Sequence, residues 1–520
     1  MGALTSERAS GVRLTDVVAT IALAADLALG QPLDHVLRAC SLATSFAEHL
    51  GVSDEDRTTA YWVSLFTSAG CTGISFELSD IFGDDIALRA ELGRATSTLG
   101  FARVILGRAG SGRSMLGRTR VRAELLATRM RSVEESLIAH CRVSIQLATR
   151  MGLGESVTSA LSQSFTRWDG KGIPRDVGGE AIVLPVRIAV LMDAIEVFHR
   201  EHGTDAAVAA VRRMRGSLFD PALADAWCAV ATEQLAVLDE GSSWDTVMSG
   251  SSNRVLTEGE VDAALELLAD YADLKSPWFC GHSRGVAELA EAAARRLGLP
   301  EPDVTTMRRA ALVHDIGRNG VPNSIWDKPG PLTDDERERV RLHAYYTGRV
   351  LHRSGDLAFL APIASAAHER IDGSGYPRAI AGETIPLLGR ILACADVFHA
   401  MGEDRPHRAA LSKEDAERQL RRMALDGKLD GAATDALLAA AGRPLRKRPS
   451  APAGLTPREV EVLELAARGL TTRQIAGRLG IAPKTAGNHI ERIYDKIGVS
   501  SRAEAAMYAM QNGLIRPSET

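Results

Sequence analysis

Apolar residues recur at three- and four-residue intervals through most of the chain, the period of helices that bury one face. The stretch Ala287 to Leu297 is representative, and Gly298 then breaks its pattern. Few stretches alternate as half-buried strands do, so the pattern predicts an all-α protein. Two interruptions divide it. Gly, Ser and Asn cluster around Gly241 to Asn253, and from Arg443 to Pro452 the run RPLRKRPSAP mixes prolines with basic residues, a composition suited to an extended, solvated tether. The expected organisation is a helical domain at 12–250, a second at 254–442, a linker at 443–452 and a small module at 453–517.

Composition agrees with several globular domains. The 520 residues are 45% hydrophobic and 24% charged, neither collagenous nor largely disordered. A formal charge of -5 excludes a nucleic-acid-coating protein as a whole but leaves room for one basic module. From Arg443 to Thr520 there are 13 Lys/Arg against 7 Asp/Glu, a local net of +6. The six cysteines have no paired spacing of a zinc knuckle or disulfide framework, which points to a reducing cytoplasm. The polar N-terminus and the short apolar stretch Val17 to Leu29, interrupted by Asp26, read as neither a signal peptide nor a membrane span.

The first two segments resemble each other. Arg167 to Asp193 aligns without gaps to Arg370 to Asp396 with 13 identities in 27 positions, the mark of a duplication. At the same offset His140 falls opposite His343, and across one length difference His35 falls opposite His282. The second copy holds His314-Asp315 at the end of an apolar helix, with His282, His343, His368 and Asp396 far apart in sequence. Imidazoles and carboxylates from separate helices suit one or two first-row divalent ions, and an adjacent His and Asp lets the carboxylate bridge two of them. The first copy places Thr67-Ser68 opposite His314-Asp315 and Phe165 opposite His368, so it is expected to hold no metal; its role is left as ligand binding, dimerisation or completion of a core.

His314-Asp315, His343, His368-Glu369, the run Asp372-Gly373-Ser374-Gly375-Tyr376-Pro377 and Asp396 together resemble the HD-GYP branch of the HD phosphohydrolases, over about Leu256 to Gly442. The resemblance implies a helical fold, two divalent ions (iron or manganese), and metal-assisted hydrolysis of the cyclic dinucleotide cyclic di-GMP. Carried over by position, one metal takes His282, His314, Asp315 and Asp396, and the other takes Asp315, His343 and His368. Asp315 and Arg318 are the expected catalytic residues, and Gly375, Tyr376, Pro377, Arg405 and Arg408 the expected substrate contacts.

Three positions depart from the family. Ala367 stands where the first imidazole of a His-His-Glu triplet is usual, Trp278 where three-metal members carry a carboxylate, and Arg318 in place of a lysine. These departures leave open a working phosphodiesterase, a slow one, and a sensor that binds the nucleotide without cutting it.

In the last module, Leu455-Thr456-Pro457-Arg458-Glu459, Gly469, Ile475-Ala476, Thr485, His489 and Lys496-Ile497-Gly498 resemble LuxR-type DNA-binding domains. The likeness implies a four-helix unit whose second turn-linked helix, Lys484 to Lys496, reads DNA. Lys484, Thr485, Asn488 and His489 are expected at the bases or phosphates, with Arg492 and Lys496 on the backbone. One such module binds weakly, so a homodimer on two half-sites is expected. The whole reads as two tandem HD-like helical domains followed by a LuxR-type helix-turn-helix: a cytoplasmic regulator whose partners are a cyclic dinucleotide and DNA.

Overall fold

The computed structural model describes residues 11–128, 130–175, 177–240, 243–249, 254–442 and 452–515. Among them the chain is all-α: helices and short 3-10 turns, with no strand beyond isolated two-residue bridges. Most of the expected tether, 443–451, and part of the expected break at 241–253 lie outside the described residues. The chain divides into two compact units whose bounds depart from the expected ones, with residues 254–264 in the first unit. Residues 72–80 belong with the second unit and 350–359 with the first, while the C-terminal helices group with the second.

In the first unit, the apolar stretch near the N-terminus becomes the helix Leu14–Leu29, buried from Leu14 to Ala28. It is a core element, and none of the described helices is long and apolar enough to cross a membrane. Its buried Asp26 accepts hydrogen bonds from the backbone N–H groups of Asp34 and Val36, at 2.8 and 3.0 Å, and so caps the next helix, His35–His49. That helix packs with Asp54–Phe66 and Leu184–His202 around Leu42, Phe46, Ile188, Leu191 and Trp227.

The second unit contains the same device. Buried Asp273 accepts from the backbone N–H and the hydroxyl of Ser283, at 2.9 and 2.7 Å, and thereby caps the helix His282–Arg296. This helix presents Val286, Ala287, Ala290 and Ala294 to Glu301–Leu312, Leu387–Met401 and Gly431–Ala441. Small side chains let the axes approach closely, which brings the polar ends of these helices together. Glu301–Leu312 stops just before His314-Asp315, Asp334–His352 carries His343, and Leu387–Met401 carries Asp396.

The first unit's His35 illustrates what a fully partnered imidazole looks like. Nδ1 lies 2.5 Å from Glu196 and Nε2 lies 3.2 Å from Asp193, while Arg38 and Arg200 donate to the same Glu196. Burial works against a charge on His35, yet Asp193 and Glu196 outweigh it and raise its pKa from 6.5 to about 10. A raised folded-state pKa gives stability that is complete below about pH 6.5 and fades as pH rises toward 10. His35→Gln should therefore cost about 3 kcal/mol at pH 6 and much less at pH 10; urea unfolding at the two pH values measures the difference.

Candidate metal centre and DNA-binding face

All six ligands expected from the sequence converge in the second unit. Among the described residues, three groups have potential ligand atoms within 4.8 Å of one another: His282, His314, Asp315 and Asp396; Asp315, His343 and His368; and His282, His399 and Glu403. Asp315 joins the first two. Its Oδ2 faces Nε2 of His314 at 2.9 Å and of His282 at 3.5 Å, and its Oδ1 faces Nε2 of His343 at 3.3 Å and of His368 at 3.8 Å. Asp396 closes the ring, with Oδ1 3.2 Å from His282 and Oδ2 3.4 Å from Nδ1 of His368.

The backbone and one acidic side chain set which nitrogen of each ring points inward. Nδ1–H of His314 donates to the Ala311 carbonyl at 2.7 Å, that of His343 to the Val340 carbonyl at 2.5 Å, and that of His282 to Glu403 at 2.8 Å. The Nε2 lone pairs are thereby directed at the carboxylates, the tautomer a metal ligand needs. Nε2 of His282, Nε2 of His314 and both oxygens of Asp315 are buried and make no hydrogen bond. Four convergent buried polar atoms without partners would cost several kcal/mol if left so. Nε2 of His343 also lies 2.7 Å from Nε2 of His368, a contact that only a shared proton or a shared cation makes favourable. The imidazole and carboxylate set fits divalent metal ions, and Asp315 belongs to two of the three groups.

The clustered charges shift one another. Burial would raise the Asp315 carboxyl, but Arg318 and His314 hold it well below the ordinary carboxylate range. Burial also opposes a charge on His314, whose pKa is nevertheless raised to about 9 by Asp315 and Asp396. His368 is lowered to about 4 by burial, with His343 opposing its protonation further.

Around this centre the expected substrate residues divide. Arg318 contacts Asp315 and lies 4.0 Å over the Phe279 ring, and its Nε and Nη1 make no hydrogen bond, which leaves donors for an anionic oxygen. Tyr376 stacks on His368 with ring centres 5.0 Å apart, and the Arg341 guanidinium lies 5.3 Å from the Tyr376 ring centre. Gly375 is buried and Pro377 half-buried in the same loop. The loop is tied to the site by the Tyr376 N–H donating to the His368 carbonyl at 3.1 Å, and by Glu369 accepting from the backbone of Arg378 and Ile380. The two other arginines turn elsewhere. Arg405 is buried, donating to Glu403 and to the Trp278 carbonyl. Arg408, expected at the substrate, donates to the carbonyls of Ala400, Met401, Glu403 and Ala409, closing the end of Leu387–Met401. Orphan carbonyls at a helix end compete for a nearby guanidinium. Sequence reading missed Glu403 and His399, whose parts in the site depend on contacts distant in sequence.

The C-terminal helices are Pro457–Ala467, Thr472–Leu479, Pro483–Ile497 and Arg502–Gln511. Capping boxes at Thr456/Glu459 and Thr471/Gln474 start the first two, and Gly480 in the left-handed region ends the second. On Pro483–Ile497, Ala486 and Ile493 face inward, while Lys484, Thr485, Asn488 and Arg492 are exposed and His489 is half-buried. Lys496 departs from its expected contact with DNA backbone: it donates to Glu459 at 2.7 Å and to the Gly454 carbonyl at 3.3 Å, staying inside its own module. A half-exposed lysine beside a capping carboxylate is held by its charge.

Comparison with known proteins follows these two sites. The HD domain family matches residues 266–433, and the family of bacterial regulatory proteins of the luxR type matches 453–509. The chain is 30% identical over 410 residues to a 3'3'-cGAMP-specific phosphodiesterase of Vibrio cholerae, covering 76% of this chain and 88% of that protein. It is 40% identical over 172 residues to a cyclic di-GMP phosphodiesterase of Thermotoga maritima, covering 33% and 45%. A crystal structure of a cyclic GMP-AMP specific phosphodiesterase of Vibrio cholerae superposes with a TM-score of 0.59 at 26% identity, over 84% of this chain and 99% of that one.

The ligand-bearing segments approach closely at Gly317, where a Cβ would lie 2.1 Å from the His343 carbonyl oxygen and 2.4 Å from the Thr347 nitrogen. Gly317→Ala should force them apart, lowering stability by about 1–3 kcal/mol and weakening Mn2+ binding; calorimetric titration and thermal melting of the variant report both.

Proposed function

The chain belongs to the HD-GYP family of HD-domain phosphodiesterases and carries a LuxR-type DNA-binding domain, and from that premise we propose that it hydrolyses a 3'3'-linked cyclic dinucleotide and links that nucleotide to gene control. The observation that carries the catalytic half is the convergence of His282, His314, Asp315 and Asp396 and of Asp315, His343 and His368, buried imidazoles and carboxylates that would hold divalent ions. Bound divalent ions would supply a water nucleophilic near neutral pH and offset the negative charge of the phosphodiester.

The protein's own groups do the rest. His282, His314, Asp315 and Asp396 would hold one ion, and Asp315, His343 and His368 the other. Arg318, whose Nη1 faces Asp273 at 3.9 Å without a hydrogen bond, meets a phosphate oxygen, and its stacking on Phe279 keeps the guanidinium from swinging away. Tyr376, stacked on His368, offers an aromatic face beside the centre for a base or ribose. Iron or manganese suits the mixed imidazole and carboxylate set. The substrate is either cyclic di-GMP or 3'3'-cGAMP. The cGAMP-specific relative is favoured because its likeness extends over both units, whereas that of the Thermotoga maritima enzyme spans a third of the chain.

A second reading, a nucleotide sensor with little or no turnover, is favoured by Ala367. It is fully buried beside His368 and brings a methyl group where the family resemblance calls for an imidazole. We also read the first unit as a degenerate copy of the second, since Asp26 and Asp273 cap corresponding helices and His35 and His282 each face an aspartate from the later helix of their own unit. Exposed Lys484, Thr485, Asn488 and Arg492 support DNA contact through Pro483–Ile497, by a homodimer in the cytoplasm.

Turnover of both cyclic dinucleotides, followed by chromatography with added Mn2+ or Fe2+, tests the catalytic reading. His314→Ala should abolish product and Ala367→His should raise its rate at least tenfold; nucleotide bound but uncut by every variant would favour the sensor instead. For the reader helix, Lys484→Ala and Asn488→Ala should each weaken promoter DNA binding by about 1–3 kcal/mol in fluorescence anisotropy, without moving the melting temperature.

A further inference from the structure

The third cluster of possible ligand atoms, His282, His399 and Glu403, lies outside both expected metal positions. Glu403 is 6% exposed and accepts from Nδ1 of His282 at 2.8 Å, the ring nitrogen opposite the one that faces Asp315 and Asp396. Nδ1 of His399 lies 3.3 Å from the other Glu403 oxygen. A third cation there is a poor fit. Arg405 donates to the same Glu403 oxygen that receives His282, so a positive charge already occupies the position. Binding a cation through Nδ1 while Nε2 binds another would also require an imidazolate.

The first unit contains the same arrangement built from different positions. There Glu196 takes Nδ1 of His35 while Asp193 faces Nε2, and Arg38 and Arg200 neutralise Glu196. Glu196 stands three residues after Asp193, whereas Glu403 stands seven after Asp396, one helical turn further on. The position in the second unit that corresponds to Glu196 is filled by His399. Its imidazole lies over Gly285, where a Cβ would come within 1.8 Å of His399 Nε2. The carboxylate that grips the outer nitrogen has changed position along the chain, yet the grip and its arginine counter-charge are present in both units.

Resting on the metal-centre reading above, we infer that Glu403 is a positioning residue for the first metal ion: its carboxylate fixes the tautomer and orientation of His282, and Arg405 serves it as counter-ion rather than serving the substrate. An ionised acceptor on Nδ1–H makes Nε2 a stronger donor to a cation than a neutral acceptor does. The buried Arg405 keeps Glu403 from being a lone charge in the core. His399 supports the carboxylate from the side and explains why residue 285 is glycine.

The test is metal affinity and ligand-field spectroscopy on the full-length chain, independent of turnover. Glu403→Gln keeps the shape and a neutral acceptor, and should weaken Mn2+ binding about tenfold; Glu403→Ala removes the acceptor and should approach a hundredfold loss. Co2+ absorption bands should shift in both variants while circular dichroism is unchanged. If Glu403→Ala does not fold, the isosteric Glu403→Gln carries the test by itself. Wild-type affinity and an unchanged Co2+ spectrum in a folded Glu403→Gln protein would overturn the assignment and leave the metal centre standing. Failure of the wild-type protein to bind Mn2+ or Co2+ at all would remove the metal centre and this role with it.

Discussion

A carboxylate sealed away from water persists as an anion only where positive or proton-bearing groups surround it, and Asp315 sits at the middle of such a surround. Four imidazoles and one guanidinium face its two oxygens, and no ordinary hydrogen bond satisfies either oxygen. The helices of the second unit are arranged around that requirement. His282 opens one helix, His314 and Asp315 follow the end of another, and His343 and Asp396 project from the middle of two more. A packing fault of a methyl group's width between these helices would therefore be felt as a change in ligand geometry as well as in core volume.

The first unit holds its buried imidazoles differently. His35 has a carboxylate on each ring nitrogen, and His140 lies against Phe165 at 4.8 Å between ring centres and 3.5 Å from the Cys71 sulfur. Burial lowers His140 to about 3, so that ring stays neutral and packs as an aromatic core residue. In the second unit the matching pair is His343 and His368, two imidazoles with nitrogens in contact.

Joining such a centre to a reader of DNA has a physical requirement: the nucleotide must favour one of two arrangements over the other, because a ligand shifts an equilibrium only through unequal affinity for its states. The recognition helix keeps its polar face exposed while its capping boxes and the Lys496–Glu459 pair hold the module together from within. The exposed side chains of that helix and the groups that stabilise the module are therefore different residues.

The sequence by itself determined the helical class, the HD domain and the helix-turn-helix, because each is written in residue type and short-range spacing: a period near four, an adjacent His and Asp, a Gly-Tyr-Pro loop, and Thr-x-x-Glu before a helix. It could not assign Glu403, which meets His282 across 121 residues, nor the fates of Arg405, Arg408 and Lys496. Long basic side chains reach several acceptors equally well from any stretch of chain. Which carbonyl or carboxylate lies within their reach, and hence whether an arginine meets a ligand, a helix end or a neighbouring acid, is decided only when distant helices pack.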